Sequence, residues 1–163
     1  MRWASFPFAL LAAIAAPLQY GLLEARHSQA SRAAAAQGNP FVGTWTADLP
    51  KSRLHPSSQF QSVTLQIGVA GDTMTMASVI VDASGQTQRA AETFRTDGTE
   101  TPGTLSAGVT LMAKWLGSHV LASVAMKSGQ VLALVTYEVS ADGKTLTSRS
   151  SGMIEQVVVF DRQ

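Results

Sequence analysis

From Asn39 onward, apolar and polar residues alternate with a period of two. Nowhere in that stretch does an apolar period of about 3.6 hold for three turns. Val63, Leu65 and Ile67 fall on one face of a run, with Ser62, Thr64 and Gln66 on the other. Val109, Leu111, Ala113 and Trp115 alternate in the same way with Thr110, Met112 and Lys114. Such alternation marks half-buried β-strands. It predicts strands at about 42–49, 61–69, 73–82, 87–95, 108–115, 119–126, 130–139, 144–150 and 155–162. The links between them carry turn chemistry: Ala70-Gly71-Asp72, Ala83-Ser84-Gly85, Asp97-Gly98, Leu116-Gly117-Ser118, Ser128-Gly129 and Asp142-Gly143. Gly and Asp tolerate the positive φ that tight hairpins require. Links this short cannot hold a parallel crossover, so sequential strands should pair antiparallel. The expected fold class is all-β, an up-and-down meander of about eight to ten strands. Closing the meander into a barrel removes the edges that an open sheet would have to protect.

Both ends of this region carry further signals. Phe41-Val42-Gly43-Thr44-Trp45 is followed by Asp48-Leu49 and Pro50-Lys51-Ser52. Near the end stand Asp142-Gly143-Lys144-Thr145-Leu146-Thr147 and Val157-Val158-Val159-Phe160-Asp161-Arg162. In this order they resemble bacterial exported lipocalin-like domains of the calycin type, which open on a Gly-x-Trp strand and an "AKS"-type turn. The resemblance implies a lipocalin or fatty-acid-binding-like barrel that holds a ligand. It also implies a structural closure in which the tryptophan after Gly43, Trp45, packs under an arginine from a late strand. Arg162 is the first candidate for that arginine and Arg149 the second. A guanidinium suits the role because it stacks on an indole face while donating to main-chain carbonyls. The alternative is that Trp45 is an ordinary core aromatic with no arginine partner.

One departure from that family is visible. Val131-Leu132-Ala133-Leu134-Val135, Val79-Ile80-Val81 and Val157-Val158-Val159-Phe160 are apolar on both faces. Their outer residues need a cover, such as a second copy of the chain, the N-terminal segment or a partner protein. An outer-membrane barrel would also show an apolar band, but it requires aromatic girdles and a polar interior. Only seven aromatics follow residue 38.

The first 37 residues read differently. Met1-Arg2-Trp3 is a short basic start, Ala4 to Ala16 is apolar, and Ala13-Ile14-Ala15 is a small-x-small site. This is the order of a secretory signal peptide. Residues 24–37 are rich in Ala, Ser and Gln and read as leader remainder or flexible tether. The expected organisation is a leader at 1–37 and a barrel domain at 38–163, exported to a bacterial periplasm or beyond, with no membrane span once the leader is removed. An uncleaved anchor is the rival reading, interrupted by Pro17, Gln19 and Tyr20. The full chain carries a formal net charge of +1; without the leader, nine basic against ten acidic residues leave −1. That balance argues against nucleic acid as a partner. The chain has no cysteine, which excludes disulfides, thiolate metal sites and thiol nucleophiles.

Catalytic chemistry is sparse. His27, His55 and His119 show neither His-x-His nor His-Glu-x-x-His spacing, and no Gly-x-Ser-x-Gly elbow or phosphate-cradling loop is present. No cofactor, metal site or catalytic residue is therefore expected. Binding has more support. Met74, Met76, Leu111 and Trp115 are candidate lining residues, since flexible thioethers suit a cavity that adapts to apolar guests or fill gaps in a solid core. On the strand at 87–95, Arg89 and Arg95 share one face, and Glu92 and Phe94 the other. If the first face points inward, an arginine could clamp a ligand carboxylate. If it points outward, the arginines are surface charge and Glu92 stands inside, the arrangement that Phe94 favours. Three functions follow: an exported barrel binding a small hydrophobic ligand; a non-catalytic envelope interaction or scaffold protein using strand 131–135, as a homo-oligomer or with a partner; and an enzyme with a site near His119.

Overall fold

A computed structural model describes residues 38–163, so the leader expected at 1–37 lies outside the described residues. Ten strands follow one another: β1 (Gly43–Arg53), β2 (Phe60–Ala70), β3 (Thr73–Asp82), β4 (Thr87–Arg95), β5 (Asp97–Pro102), β6 (Val109–Gly117), β7 (Val120–Lys127), β8 (Gln130–Val139), β9 (Thr145–Gly152) and β10 (Gln156–Arg162). They form one antiparallel sheet in the order β4-β3-β2-β1-β10-β9-β8-β7-β6-β5. Apart from the β1–β10 pairing, each neighbour in this order is also a neighbour in sequence, as the short turns require. The expected all-β meander therefore forms, and it curls into a nearly closed barrel.

The seam lies between β4 and β5, which turn a corner at Thr96 and share no backbone ladder. Side chains bridge the gap instead. The Arg95 backbone N–H donates to Thr101 Oγ1 at 3.2 Å, and Thr104 Oγ1 donates to the Ala91 carbonyl at 3.3 Å. β5 was not expected from the sequence. Its residues, Asp97-Gly98-Thr99-Glu100-Thr101-Pro102, are mostly exposed and offer no apolar alternation.

β1 also runs on past Leu49, where a turn at Pro50-Lys51-Ser52 was expected. The pairing of β1 with β10 shifts register between Asp48 and Arg53, so Pro50 sits at an irregularity that spares the ladder a missing N–H. The Ser52 hydroxyl repairs the gap, donating to the Asp48 carbonyl at 2.7 Å and accepting the Val159 N–H at 3.0 Å.

A second irregularity reshapes β8. Ala125 pairs with Ala133, but Met126 pairs with Val131, leaving Leu132 as the extra residue of a β-bulge. Leu132 and Ala133 consequently both turn inward, while Val131 and Leu134 stand outside at 55% and 50% exposure. Gly152 makes room for the bulge. Its φ is +114°, and a Cβ there would lie 2.7 Å from the Leu132 carbonyl oxygen, which accepts the Met153 N–H at 3.1 Å. The run at 131–135, expected to be apolar on both faces of a regular strand, is thus partly a bulge that feeds the interior. The remaining outer apolar row crosses three strands, with Met112 opposite Val124 and Val124 opposite Leu134. No helix of the described residues is long and apolar enough to cross a membrane.

Candidate functional site

One end of the barrel is solid. Gly43 and Trp45 on β1 stand opposite Ile67 and Leu65 on β2, and Trp45 is also opposite Arg162 on β10. The Arg162 guanidinium lies over the Trp45 ring, 4.1 Å from its centroid. It donates to the Val42 carbonyl at 2.8 Å, to the Gly143 carbonyl and to the Pro40 carbonyl. One cation thereby ties the N-terminal approach to the β8–β9 turn. Burial pulls its pKa down from the ordinary arginine value, yet a guanidinium stays charged in a protein. Gly43 adopts φ +142°, and a Cβ there would meet the Arg162 Nη1 at 2.7 Å.

Aromatic side chains complete this plug. Trp45 Nε1–H donates to the Phe41 carbonyl at 2.9 Å, and Phe41 meets Trp115 edge-on with ring centroids 5.0 Å apart. Trp115 Nε1–H donates to the hydroxyl of the buried Thr96 at 3.0 Å. Gly43, Trp45 and Arg162 are therefore placed together as the resemblance implied. Arg149 is outside, paired with Glu138 at 2.9 Å.

The other end is hollow. β1 and β2 are joined there only by residues 54–59, and no helix covers the mouth among the described residues. A cavity of about 340 Å³ opens between the upper halves of the strands. Its apolar wall includes Met76, Phe94, Val109, Leu111, Ala125 and Leu132. A size in the low hundreds of cubic ångströms and a mostly apolar lining are those of a small-molecule site.

A polar band crosses this wall. Tyr137 on β8 pairs with Ser148 on β9, and Ser150 pairs with Gln156 on β10; all four line the cavity. Burial pushes the Tyr137 hydroxyl up to about 12, so it stays protonated at neutral pH and can donate. Gln156 is 9% exposed, and its Oε1 has no hydrogen-bond partner. Glu92, 6% exposed, lines the cavity from β4. Its Oε1 accepts the Thr104 N–H at 2.7 Å and the Thr104 hydroxyl at 2.9 Å, which draws the β5–β6 loop across the seam.

These positions redistribute the residues expected from the sequence. Met76 and Leu111 line the cavity. Met74 is wholly buried in the core, and Trp115 belongs to the plug. Arg89 and Arg95 are corrected: both are exposed on the outer face of β4, because Phe94 and Glu92 take the inner one. Arg95 donates through Nε to Asp97 Oδ2 at 3.0 Å. His119 is also corrected. It lies in the β6–β7 turn rather than on a strand, shares a hydrogen bond with the Ser118 hydroxyl at 2.9 Å, and is not among the cavity-lining residues. Glu92 stands inside, the arrangement that its parity with Phe94 favoured; Tyr137 and Gln156 were not foreseen as lining residues, and nothing in the sequence signalled them. Among the described residues no group of three His, Asp or Glu side chains could hold a metal ion.

No family model matches the chain, and no curated protein matches its sequence. Solved structures do match in shape. The wild-type fluorescent protein UnaG superposes with a TM-score of 0.54 at 21% identity, over 76% of this chain and 97% of that one. A Schistosoma mansoni fatty acid binding protein in complex with arachidonic acid gives 0.54 at 13%, over 76% and 96%. Fatty-acid-binding protein 1 of Echinococcus granulosus gives 0.55 at 12%, over 76% and 97%. At these identities the likeness is one of fold alone: an antiparallel barrel like that of the fatty-acid-binding proteins.

Proposed function

We propose that this protein is an exported, non-catalytic carrier that holds one small hydrophobic molecule in the open half of its barrel. The observation that carries this reading is the one-ended construction. A solid plug seals one end, and an apolar cavity of about 340 Å³ with a few buried polar groups occupies the other. Fatty-acid-binding proteins of the same fold, one of them complexed with arachidonic acid, add support. The basic start and apolar run of residues 1–16 support export to a periplasm or beyond.

The test is titration of the full chain with a neutral, environment-sensitive fluorophore, alongside native mass spectrometry for a co-purifying molecule. Saturable binding is expected, and Ala125→Trp should abolish it by filling the cavity. A signal that never saturates, or that survives Ala125→Trp, overturns the carrier reading. Fractionation of expressing cells with sequencing of the mature N-terminus tests export.

A second reading is favoured by Val131 and Leu134, which stand half-exposed beside Met126 and Val124 on the outer face. This row would pair with a second copy of the chain. Val131→Lys with Leu134→Lys should then convert a dimer to monomer in sedimentation, and a monomeric parent protein removes the idea.

A further inference from the structure

We infer that the cavity takes a hydrophobic molecule whose polar end is a hydrogen-bond donor, a neutral hydroxyl or amide or a cationic amine, and that it disfavours a carboxylate. The inference rests on the carrier reading and names the ligand class. It starts from what is absent on the inner wall. Arg89, Arg95 and Arg149 all point away from the lumen, and Arg162 is consumed by the plug. The one cation among the lining residues is Lys127, exposed at the β7–β8 turn on the rim, where solvent screens it.

The deeper groups have the opposite character. Glu92 is buried, and Thr104 donates to its Oε1 through both its N–H and its hydroxyl. Glu92 sits on β4, five strands around the ten-strand ring from β9, so it faces the band of Ser148 and Ser150 across the lumen. Gln156, beside Ser150, adds a buried Oε1 with no partner. A buried acceptor without a donor is costly, and a ligand N–H or O–H relieves that cost. A ligand carboxylate brings only more acceptors to a wall that already presents the Glu92 carboxyl and the unpartnered Gln156 oxygen, and relieves neither. A cation placed there gains a charge-assisted bond, roughly twice as strong as a neutral one.

The experiment displaces the neutral fluorophore from the full chain with four amphiphiles of one chain length: laurylamine, lauryl alcohol, lauramide and lauric acid. The three donors should displace it, the amine most tightly, with lauric acid at least about tenfold weaker. Glu92→Gln keeps an acceptor for Thr104. It should bring the amine down about tenfold, to the level of the alcohol, with each amphiphile's affinity read against the fluorophore's own Kd for that variant. Gln156→Met should raise the melting temperature of the empty protein and weaken the alcohol, since it removes a buried unpaired oxygen at similar volume. This arm stands if Glu92→Gln fails to fold. Lauric acid binding as tightly as the amine overturns the inference. So does an unchanged ranking in Glu92→Gln together with an unchanged alcohol affinity in Gln156→Met. If lauric acid wins and Lys127→Gln removes its advantage, the rim lysine sets the headgroup and the inference falls. A fluorophore that never saturates on the parent protein instead defeats the carrier reading, and the inference with it. That outcome is distinct from a saturating fluorophore with the wrong ranking.

Discussion

At the plugged end Phe41, Trp45, Ile67 and Phe160 are at most 1% exposed, and Arg162, Trp45 and Trp115 each have a hydrogen-bond partner for their side-chain donors. At the open end Gln156 Oε1 is buried without one, and Leu132, Tyr137 and Ser150 border empty space. The same alternating strands build both ends, so the difference lies in what fills the lumen. Four tryptophan and phenylalanine side chains with a guanidinium close the plugged end, whereas serines, alanines, a few larger apolar side chains and a bulge line the open one. Packing and hydrogen-bond satisfaction stabilise the first. The second holds unsatisfied groups and void, the condition for binding something else. Stability should therefore concentrate at the plug and ligand response at the mouth.

The largest effect should come from Arg162→Ala. It removes the stack on Trp45 and leaves the Val42, Pro40 and Gly143 carbonyls without their donor. Hydrogen bonds from a charged donor contribute about 1.5–3 kcal/mol each and are not additive, so a loss of about 3 kcal/mol or more is expected in urea melts. Arg162→Lys should recover only part of it, because an ammonium cannot span three carbonyls and stack at once. A loss under about 1 kcal/mol would remove the claim that the plug anchors the fold.

A matched pair of truncations compares the two ends directly. Ile67 is fully buried opposite Gly43, so Ile67→Ala should cost about 2–5 kcal/mol. Leu132 is only half-buried on the cavity wall, so Leu132→Ala should cost about 1 kcal/mol or less. The effects on fluorophore affinity should be reversed, strong for Leu132 and slight for Ile67. Equal costs would mean that the mouth is packed as tightly as the plug.

Legibility in the sequence followed the same divide. The plug was readable because Gly43, Trp45 and Arg162 must be those residue types: a Cβ at 43 would strike the guanidinium, and only arginine both stacks and forks. Strand identity was readable wherever alternation was strict, as at Val63-Leu65-Ile67. β5 was missed because an exposed seam strand carries no apolar face, and the bulge at Leu132 because a run of five apolar residues has no parity to break. Arg89 and Arg95 could be read both ways, and the structure follows the packing of Phe94. The polar band was hidden in Thr145-Leu146-Thr147-Ser148-Arg149-Ser150, where hydroxyls occupy both faces and nothing marks the inner ones.

Smaller effects sit on the turns. Ser128, in the hairpin at the mouth, has φ +50° and precedes Gly129 at φ +77°, a geometry in which both central residues need positive φ. Ser128→Asn should add about 0.5 kcal/mol, since asparagine tolerates this region better. Thermal melts should shift upward with fluorophore affinity unchanged; a shift in affinity would mean that the turn reaches into the site.

The smallest effect belongs to the outer rim of the plugged end, at the β4–β5 corner. Arg95 beside Asp97, with the Thr99 N–H, holds the Asp97 carboxyl well below its ordinary value of 3.8. A carboxyl lowered on folding adds stability that is full above its unfolded pKa and is lost as pH falls toward the folded one. The pair is exposed, so Asp97→Asn should change little at neutral pH. It should instead flatten the decline of stability below about pH 4 in acid titrations. Because the corner joins β4 to β5 outside the lumen, fluorophore binding at neutral pH should not respond. A drop in that binding would show that the seam, and with it Thr104 on Glu92, depends on this surface pair.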